Sequence, residues 1–299
     1  MLHNFSELTA RVDKKVKRTV TVVMADDTNI IKAIEKLRLL ELIHPVLIGN
    51  TKKIISIFKE LHLDKNNYEL LPAKNEQLAL NQTIKLYQQG KTDILMKGLC
   101  SSAGFLHSIL DKNNELRSNK ILSHLAIFES KQYHKLFMMS DAAINIAPNL
   151  DTKIGITGNA IIALNKLGYK RPKVALISAI EKVNIDGMPS SVEAAIISKM
   201  GERGQIGEAI IDGPLAVDIA LSREACEVKK LKSPVGGDAD ILIVPNIETG
   251  NAFYKLLTVL EKVEAAGVVL GAKIPVVLTS RADSEESKFL SLITALTIY

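Results

Sequence analysis

Tryptophan is absent from this 299-residue chain, and the aromatic residues together make up only 4% of it. A core without large rings must be filled by Ile, Leu, Val and Ala, the usual filling of parallel α/β sheets. Cysteine occurs twice, as Cys100 and Cys226, and neither belongs to a CxxC pair. That argues against a disulfide framework and against a thiolate metal site, and implies reduced thiols in a cytoplasmic protein. No run approaches the ~18 uninterrupted apolar residues of a membrane helix. The polar N-terminus, MLHNFSELTARVDKKVKR, lacks the apolar stretch of a secretory signal. The six His residues form no HxH or HExxH spacing. GxSxG, Walker A and GxGxxG are missing too, which argues against a zinc hydrolase, an α/β-hydrolase, a P-loop ATPase and an ordinary dinucleotide enzyme.

Charge of one sign is also not concentrated anywhere. The formal net charge is +5, with basic residues dispersed among acids and no Lys/Arg tract interleaved with aromatics. This suits anionic small molecules and gives no reason to expect nucleic acid. Nor is there a low-complexity linker or a 20- to 50-residue repeat, so any domain boundary falls in ordered structure.

What is present is a rhythm. Short apolar runs predict strands at 19–24, 44–48, 94–96, 124–129, 136–139, 174–180, 209–212, 241–244, 266–270 and 276–279. Between them, helical spacing of apolar residues covers 29–40, 75–89, 101–110, 151–167, 191–203, 214–227 and 251–260. Strand–helix repetition with short loops means βαβ units and mainly parallel sheets, arranged in two lobes with a cleft. Such sheets bind ligands beyond the carboxyl ends of their strands.

Several strand ends carry polar turns. In TSRADSEES, 279–287, an apolar strand delivers Thr279, Ser280 and Arg281 to the start of a helix. Free N–H groups there, a hydroxyl and a five-donor guanidinium suit phosphate, while Asp283 or Ser284 can cap the helix. A simple helix cap with a surface Arg reads the same way. In LMKGLCSSAGFLHSIL, 95–110, Lys97 and Gly98 end a strand and Ser101 and Ser102 open a helix. Gly98 permits close backbone approach and Lys97 supplies charge, although an ordinary Ser-capped turn has the same pattern. No His is placed beside Cys100, so a core thiol is the stronger reading there. In VPNIETGNAFYKLL, 244–257, Asn246 precedes a helix on which Asn251 and Lys255 share a face, as a surface pair or as the wall of a site. The turns SAIEKVNIDGMPSS, from 178, and GDAD, 237–240, are further polar strand ends. The two acids of GDAD have no His beside them, and no metal is expected.

Taken in order, these segments resemble the phosphate acetyl/butyryltransferase family, its butyryl branch most of all. The resemblance rests on MKGL at 96–99, LSHLAIFE at 122–129, SDAAINIAP at 140–148, VNIDGMPSSVEAA at 183–195, GQIGEAIIDGPLAVDIAL at 204–221, GGDADILIVPNIETGN at 236–251 and AGVVLGAKIPVVLTSRADSEESK at 266–288. It covers nearly the whole chain from about Val20 onward.

The resemblance implies a two-domain α/β fold like that of the isocitrate and isopropylmalate dehydrogenases, with an interdomain cleft. One domain would hold 1–125 plus 282–299 and the other 126–281. It implies reversible direct transfer of a short, butyryl-like acyl group between coenzyme A and phosphate. Coenzyme A is then a substrate, no further cofactor is called for, and a homo-oligomer is expected. The catalytic pair carries onto Ser280 and Arg281, with Asp283 a nearby carboxylate. Lys97, Gly98, Ser101, Ser102, His107, Asn246, Asn251, Lys255 and Thr279 are expected to bind substrate. The sequence departs from the family in three places. Ser287 stands where the acetyl branch has Asp, Gly104 and His107 stand in a D-x-x-R pattern, and Asn246 stands where the butyryl branch has Asp. The alternative these departures leave open is a non-catalytic or regulatory paralogue that binds coenzyme A or an acyl phosphate.

Overall fold

The computed structural model describes residues 1–118 and 121–298. Among them, eleven strands run in chain order as β1 (Arg18–Val23), β2 (Ile43–Gly49), β3 (Glu69–Pro72), β4 (Ile94–Lys97), β5 (Ser123–Glu129), β6 (Phe137–Ser140), β7 (Lys173–Ile177), β8 (Ile210–Leu215), β9 (Ile241–Ile243), β10 (Glu264–Leu270) and β11 (Val276–Val277). The chain divides into a terminal unit, Leu8–Lys120 with Ala266–Tyr299, and a mid-chain unit, Ile121–Ala265 with Met1–Glu7. The chain thus joins the terminal unit at Ala266, earlier than the expected 282. The strand pairing gives the reason: β10 pairs β11, and β11 pairs β4 in that unit.

In the terminal unit the strand order is β3-β2-β1-β4-β11-β10. All neighbours are parallel except β10 and β11, which form a hairpin. Gly271 turns this hairpin at φ 89°, a left-handed conformation natural to glycine. The last four residues of β1, Val20, Thr21, Val22 and Val23, are all fully buried. That continuous burial is what a parallel strand covered on both faces requires. The next helix, Thr28–Leu39, shows how the covering layer forms. Asp27 caps it by accepting from the Ile30 N–H at 2.9 Å. Ile30, Ile31, Ala33, Ile34 and Leu37 turn inward at helical spacing, and Lys36 and Arg38 sit in the last turn, where the helix dipole favours cations.

In the mid-chain unit the order is β5-β6-β9-β7-β8, parallel except for β5 and β6. Its core gathers Ala126, Phe128, Met139, Ala175, Leu215 and Leu242 from five strands. The helix expected over 214–227 is instead three pieces. Pro214 and Leu215 complete β8, and two short helices follow, Val217–Leu221 and Arg223–Val228. Ser222 divides them because its backbone is extended, and its hydroxyl accepts from the Ala225 N–H to start the second. No helix among the described residues is long and apolar enough to cross a membrane.

Candidate active site

Parallel pairing of β4 and β11 sets Val276 against Leu95 and Val277 against Met96. The chain leaving β11, Thr279 to Arg281, therefore emerges beside the chain leaving β4, Gly98 to Ser101. A guanidinium N–H of Arg281 donates to the Leu99 carbonyl at 2.9 Å, closing the two turns on each other. The rest of the Arg281 side chain is exposed, while Thr279 is buried.

Lys97 ends β4 and is only 2% exposed. Its ammonium donates to the Gly98 carbonyl at 3.0 Å and the Cys100 carbonyl at 3.2 Å. Burial pulls its pKa below the usual lysine range, the neighbouring Arg281 and Lys288 charges act in the same direction, and Cys100 and Asp283 act against it. Gly98 passes so close to β1 that a Cβ would lie 2.2 Å from the Met24 carbonyl oxygen. The expected close approach is thus met by β1 itself, whose end also receives the Gly98 and Leu99 N–H groups, both at 2.8 Å.

The TSRAD turn is closed on itself. The Ser280 N–H donates to the Asp283 carboxylate at 2.7 Å, and the Asp283 N–H returns to the Ser280 carbonyl at 3.2 Å. The Ser280 hydroxyl accepts from the Ala282 N–H at 3.4 Å, which leaves its proton for another acceptor. Asp283 therefore shapes the turn with one carboxylate oxygen. Lys288, on the helix Glu285–Thr297 that follows, donates its ammonium to the Asp283 carbonyl.

The helix Ser102–Leu110 opens with Ser101 as its cap, the hydroxyl accepting from the Gly104 N–H at 3.0 Å. A residue not singled out in the sequence holds this end. The Glu76 carboxylate accepts from the Ser101 N–H at 2.9 Å and from the Ser101 hydroxyl at 2.6 Å. A Cβ at position 104 would fall 2.2 Å from the Glu76 carboxylate. Glycine at 104 is thus what lets a carboxylate reach this helix start from 25 residues away in the chain. Ser102 and His107 are exposed on the same helix.

Asn246, Asn251 and Lys255 lie in the mid-chain unit, on or before the helix Ile247–Lys255 that follows β9. Asn246 caps this helix, accepting from the Thr249 N–H at 2.9 Å and its hydroxyl at 2.7 Å. The Asn251 amide donates to the Ala142 carbonyl at 3.4 Å, and the Lys255 ammonium lies 5.9 Å from the Tyr254 ring centre. Beside them is a second unforeseen residue, the buried Asp141, whose carboxylate accepts from the N–H groups of Ala143, Ile144 and Asn145. Its membership of the SDAAINIAP run was the available signal.

The family model described as phosphate acetyl/butaryl transferase matches residues 74–296, a span that holds every candidate residue above. The chain belongs to this family. It is similar to the phosphate butyryltransferase of Clostridium acetobutylicum, 40% identical over 295 residues, 99% of this chain and 98% of that protein. It is also similar to the phosphate acetyltransferase of Thermotoga maritima, 38% identical over 275 residues, 92% of this chain and 93% of that protein. Among solved structures, a branched-chain phosphotransacylase from Enterococcus faecalis superposes with a TM-score of 0.82 at 36% identity, covering 94% of this chain and 98% of that one.

As a member of the phosphate acetyl/butaryl transferase family, the chain keeps a usable cap at Asn246, since Asn and Asp cap helices about equally well. Asn246→Ala is expected to cost about 1 kcal/mol of stability and Asn246→Asp almost nothing. Denaturant midpoints of the two variants check this. The cysteines are not built as nucleophiles. Burial pushes the Cys100 thiol up to about 11, and burial is also the largest cause raising Cys226. Both stay protonated near neutral pH, and a thiol attacks poorly compared with a thiolate. A Cys100→Ala, Cys226→Ala double variant is expected to keep kcat within about threefold of wild type, because loss of a true nucleophile costs orders of magnitude. Trapping of an acylated cysteine would overturn this.

Proposed function

We propose that this chain catalyses reversible transfer of a short, butyryl-like acyl group between coenzyme A and phosphate, and that Lys97, Ser280 and Arg281 carry the chemistry. The observation that supports it most directly is the joining of the TSRAD turn to the β4 end through Arg281 and Leu99, in a member of this family. In the forward direction a phosphate oxygen attacks the thioester carbonyl carbon. A C–O bond forms and the carbonyl electrons move onto oxygen. The oxyanion then collapses, the C–S bond breaks, and the coenzyme A thiolate leaves. Arg281, anchored by one N–H, would hold phosphate with the remaining edge of its fork. The Ser280 hydroxyl, with its proton free, would donate to the oxygen that gains charge. The Lys97 charge behind them favours the anionic state electrostatically.

On this reading the reacting groups meet in one complex and no acyl-enzyme forms, so coenzyme A is a substrate and no separate cofactor takes part. The reading further holds that the protein acts in the cytoplasm as a homo-oligomer, without nucleic acid or membrane, and that its two α/β units are related to those of the isocitrate and isopropylmalate dehydrogenases. Dispersed charge and free cysteines agree with the first part, and mainly parallel strands with the second. The test is a thiol-release assay with phosphate and acetyl-, propionyl-, butyryl- and isobutyryl-CoA, alongside calorimetry with coenzyme A. Turnover highest with the four-carbon substrates is expected. Binding of coenzyme A without turnover of any thioester would replace this reading with a non-catalytic one.

A further inference from the structure

Lys288 is a buried cation, 2% exposed, and the transfer step just described does not use it. Its ammonium donates to the main-chain carbonyl of Asp283. Asp27, the cap of the helix after β1, and Asp283 attract it. Taking a lysine ammonium out of water is costly, and apolar side chains of similar volume often replace buried charges without loss of stability. A neutral side chain would therefore serve packing here at least as well. What the cation does have is one end on the turn that carries the catalytic pair. The same Asp283 that accepts from Lys288 through its carbonyl accepts from the Ser280 N–H through its carboxylate. Arg281 lies between those two residues and reaches back to Leu99.

We propose that Lys288 is a positioning residue for the acyl transfer: by holding the Asp283 main chain it fixes where Ser280 and Arg281 point. The inference rests on the function proposed above. It acts through Asp283, so it concerns how well the phosphate-holding groups are aimed. Small errors in aim cost rate strongly, because the reacting atoms must be held in a near-attack arrangement.

The experiment is Lys288→Met in the full chain, with three measurements. Thermal unfolding is expected to match or exceed that of wild type, since an apolar side chain replaces a buried charge. Steady-state kinetics with phosphate and the best thioester are expected to show kcat lowered about tenfold or more, while KM for acyl-CoA stays within about twofold, because the ground-state contacts to coenzyme A are untouched. Amide hydrogen exchange is expected to be faster in peptides spanning 279–284 and unchanged in β7 and β9. Lys288→Gln, which keeps a donor but not the charge, is expected to recover part of the protection and part of kcat. If Lys288→Met keeps wild-type kcat, or if 279–284 exchange no faster, the positioning role is wrong. If activity falls only in proportion to a lost melting temperature across both variants, Lys288 is a packing residue and the proposal also fails. A wild-type protein without turnover on any thioester would instead refute the proposed function, and the exchange measurement alone would then decide whether Lys288 orders the turn.

Discussion

Arg281→Lys is expected to lower kcat/KM for phosphate by about 30- to 1000-fold, the equivalent of about 2–4 kcal/mol at the transition state, with the melting temperature unchanged. The estimate follows from the shape of the group. A guanidinium is a planar fork with two usable edges, and one N–H of Arg281 is already spent on the Leu99 carbonyl. The other edge can still meet two phosphate oxygens along parallel bonds. A lysine ammonium is a point charge at the end of a flexible stem. It can satisfy the Leu99 carbonyl or a phosphate, but it does not hold both in a fixed plane. The exposed position of Arg281 makes the change cheap for folding. KM for acyl-CoA serves as the internal control and should move little. A kcat/KM for phosphate within about threefold of wild type would remove Arg281 from the reacting groups.

The strand ends that carry this candidate site were legible in the sequence because strand ends in parallel sheets announce themselves. A run such as TVTVVM or ILM is rich in β-branched and apolar residues with no charge, and the polar residues just beyond it must lie at the carboxyl edge. That logic places Lys97, Ser280 and Arg281 at strand ends, and the family resemblance supplies the roles proposed for them. It missed β3, whose four residues, ELLP, lie at the edge of their sheet and show neither alternation nor a fully apolar run. It also missed Glu76, Asp141 and Lys288, for a different reason. Each is a charged residue whose role depends on what lies opposite in space: Ser101 and Gly104 for Glu76, three successive N–H groups for Asp141, the Asp283 carbonyl for Lys288. Local pattern cannot distinguish such residues from solvated surface charges. Gly104 shows the limit most clearly. Within its own helix it reads as a lost side chain, and only the approach of Glu76 shows what the empty space admits.

The GDAD turn, which sequence could describe only as two acids without a metal, leads to the largest expected change in stability. Lys135 has a fully buried side chain and reaches both acids. Its ammonium lies 2.8 Å from the Asp238 carboxylate and 2.5 Å from that of Asp240, and also donates to the Asp238 carbonyl at 2.9 Å. Lys173 and His134 approach Asp238 from the outside, and Asp240 also accepts from the Lys173 N–H at 2.7 Å. The residues involved lead into β6, β7 and β9, so the network ties together the starts of three adjacent strands. Lys135→Ala leaves the buried Asp240 carboxylate and the half-buried Asp238 carboxylate with less positive charge than they need. Breaking a buried pair in this way is expected to cost about 3–5 kcal/mol. At about 2–4 °C per kcal/mol for a unit of this size, the melting transition of the mid-chain unit should fall by about 6–20 °C. Acid should narrow the difference. Although burial opposes it, hydrogen bonds from Lys135, Lys173 and His134 hold Asp238 below the usual carboxylate range. A carboxylate with a depressed folded-state pKa stabilises the fold above its unfolded pKa, about 3.9, and that contribution is lost as pH falls toward the folded value. Calorimetric scans of wild type and Lys135→Ala at pH 7 and at stepwise lower pH should therefore converge below about pH 4. Equal melting temperatures at pH 7 would show that the network is screened by solvent and does not hold the three strands, whereas a gap that stays constant into acid would assign the loss to the cavity left by the missing side chain and not to its charge.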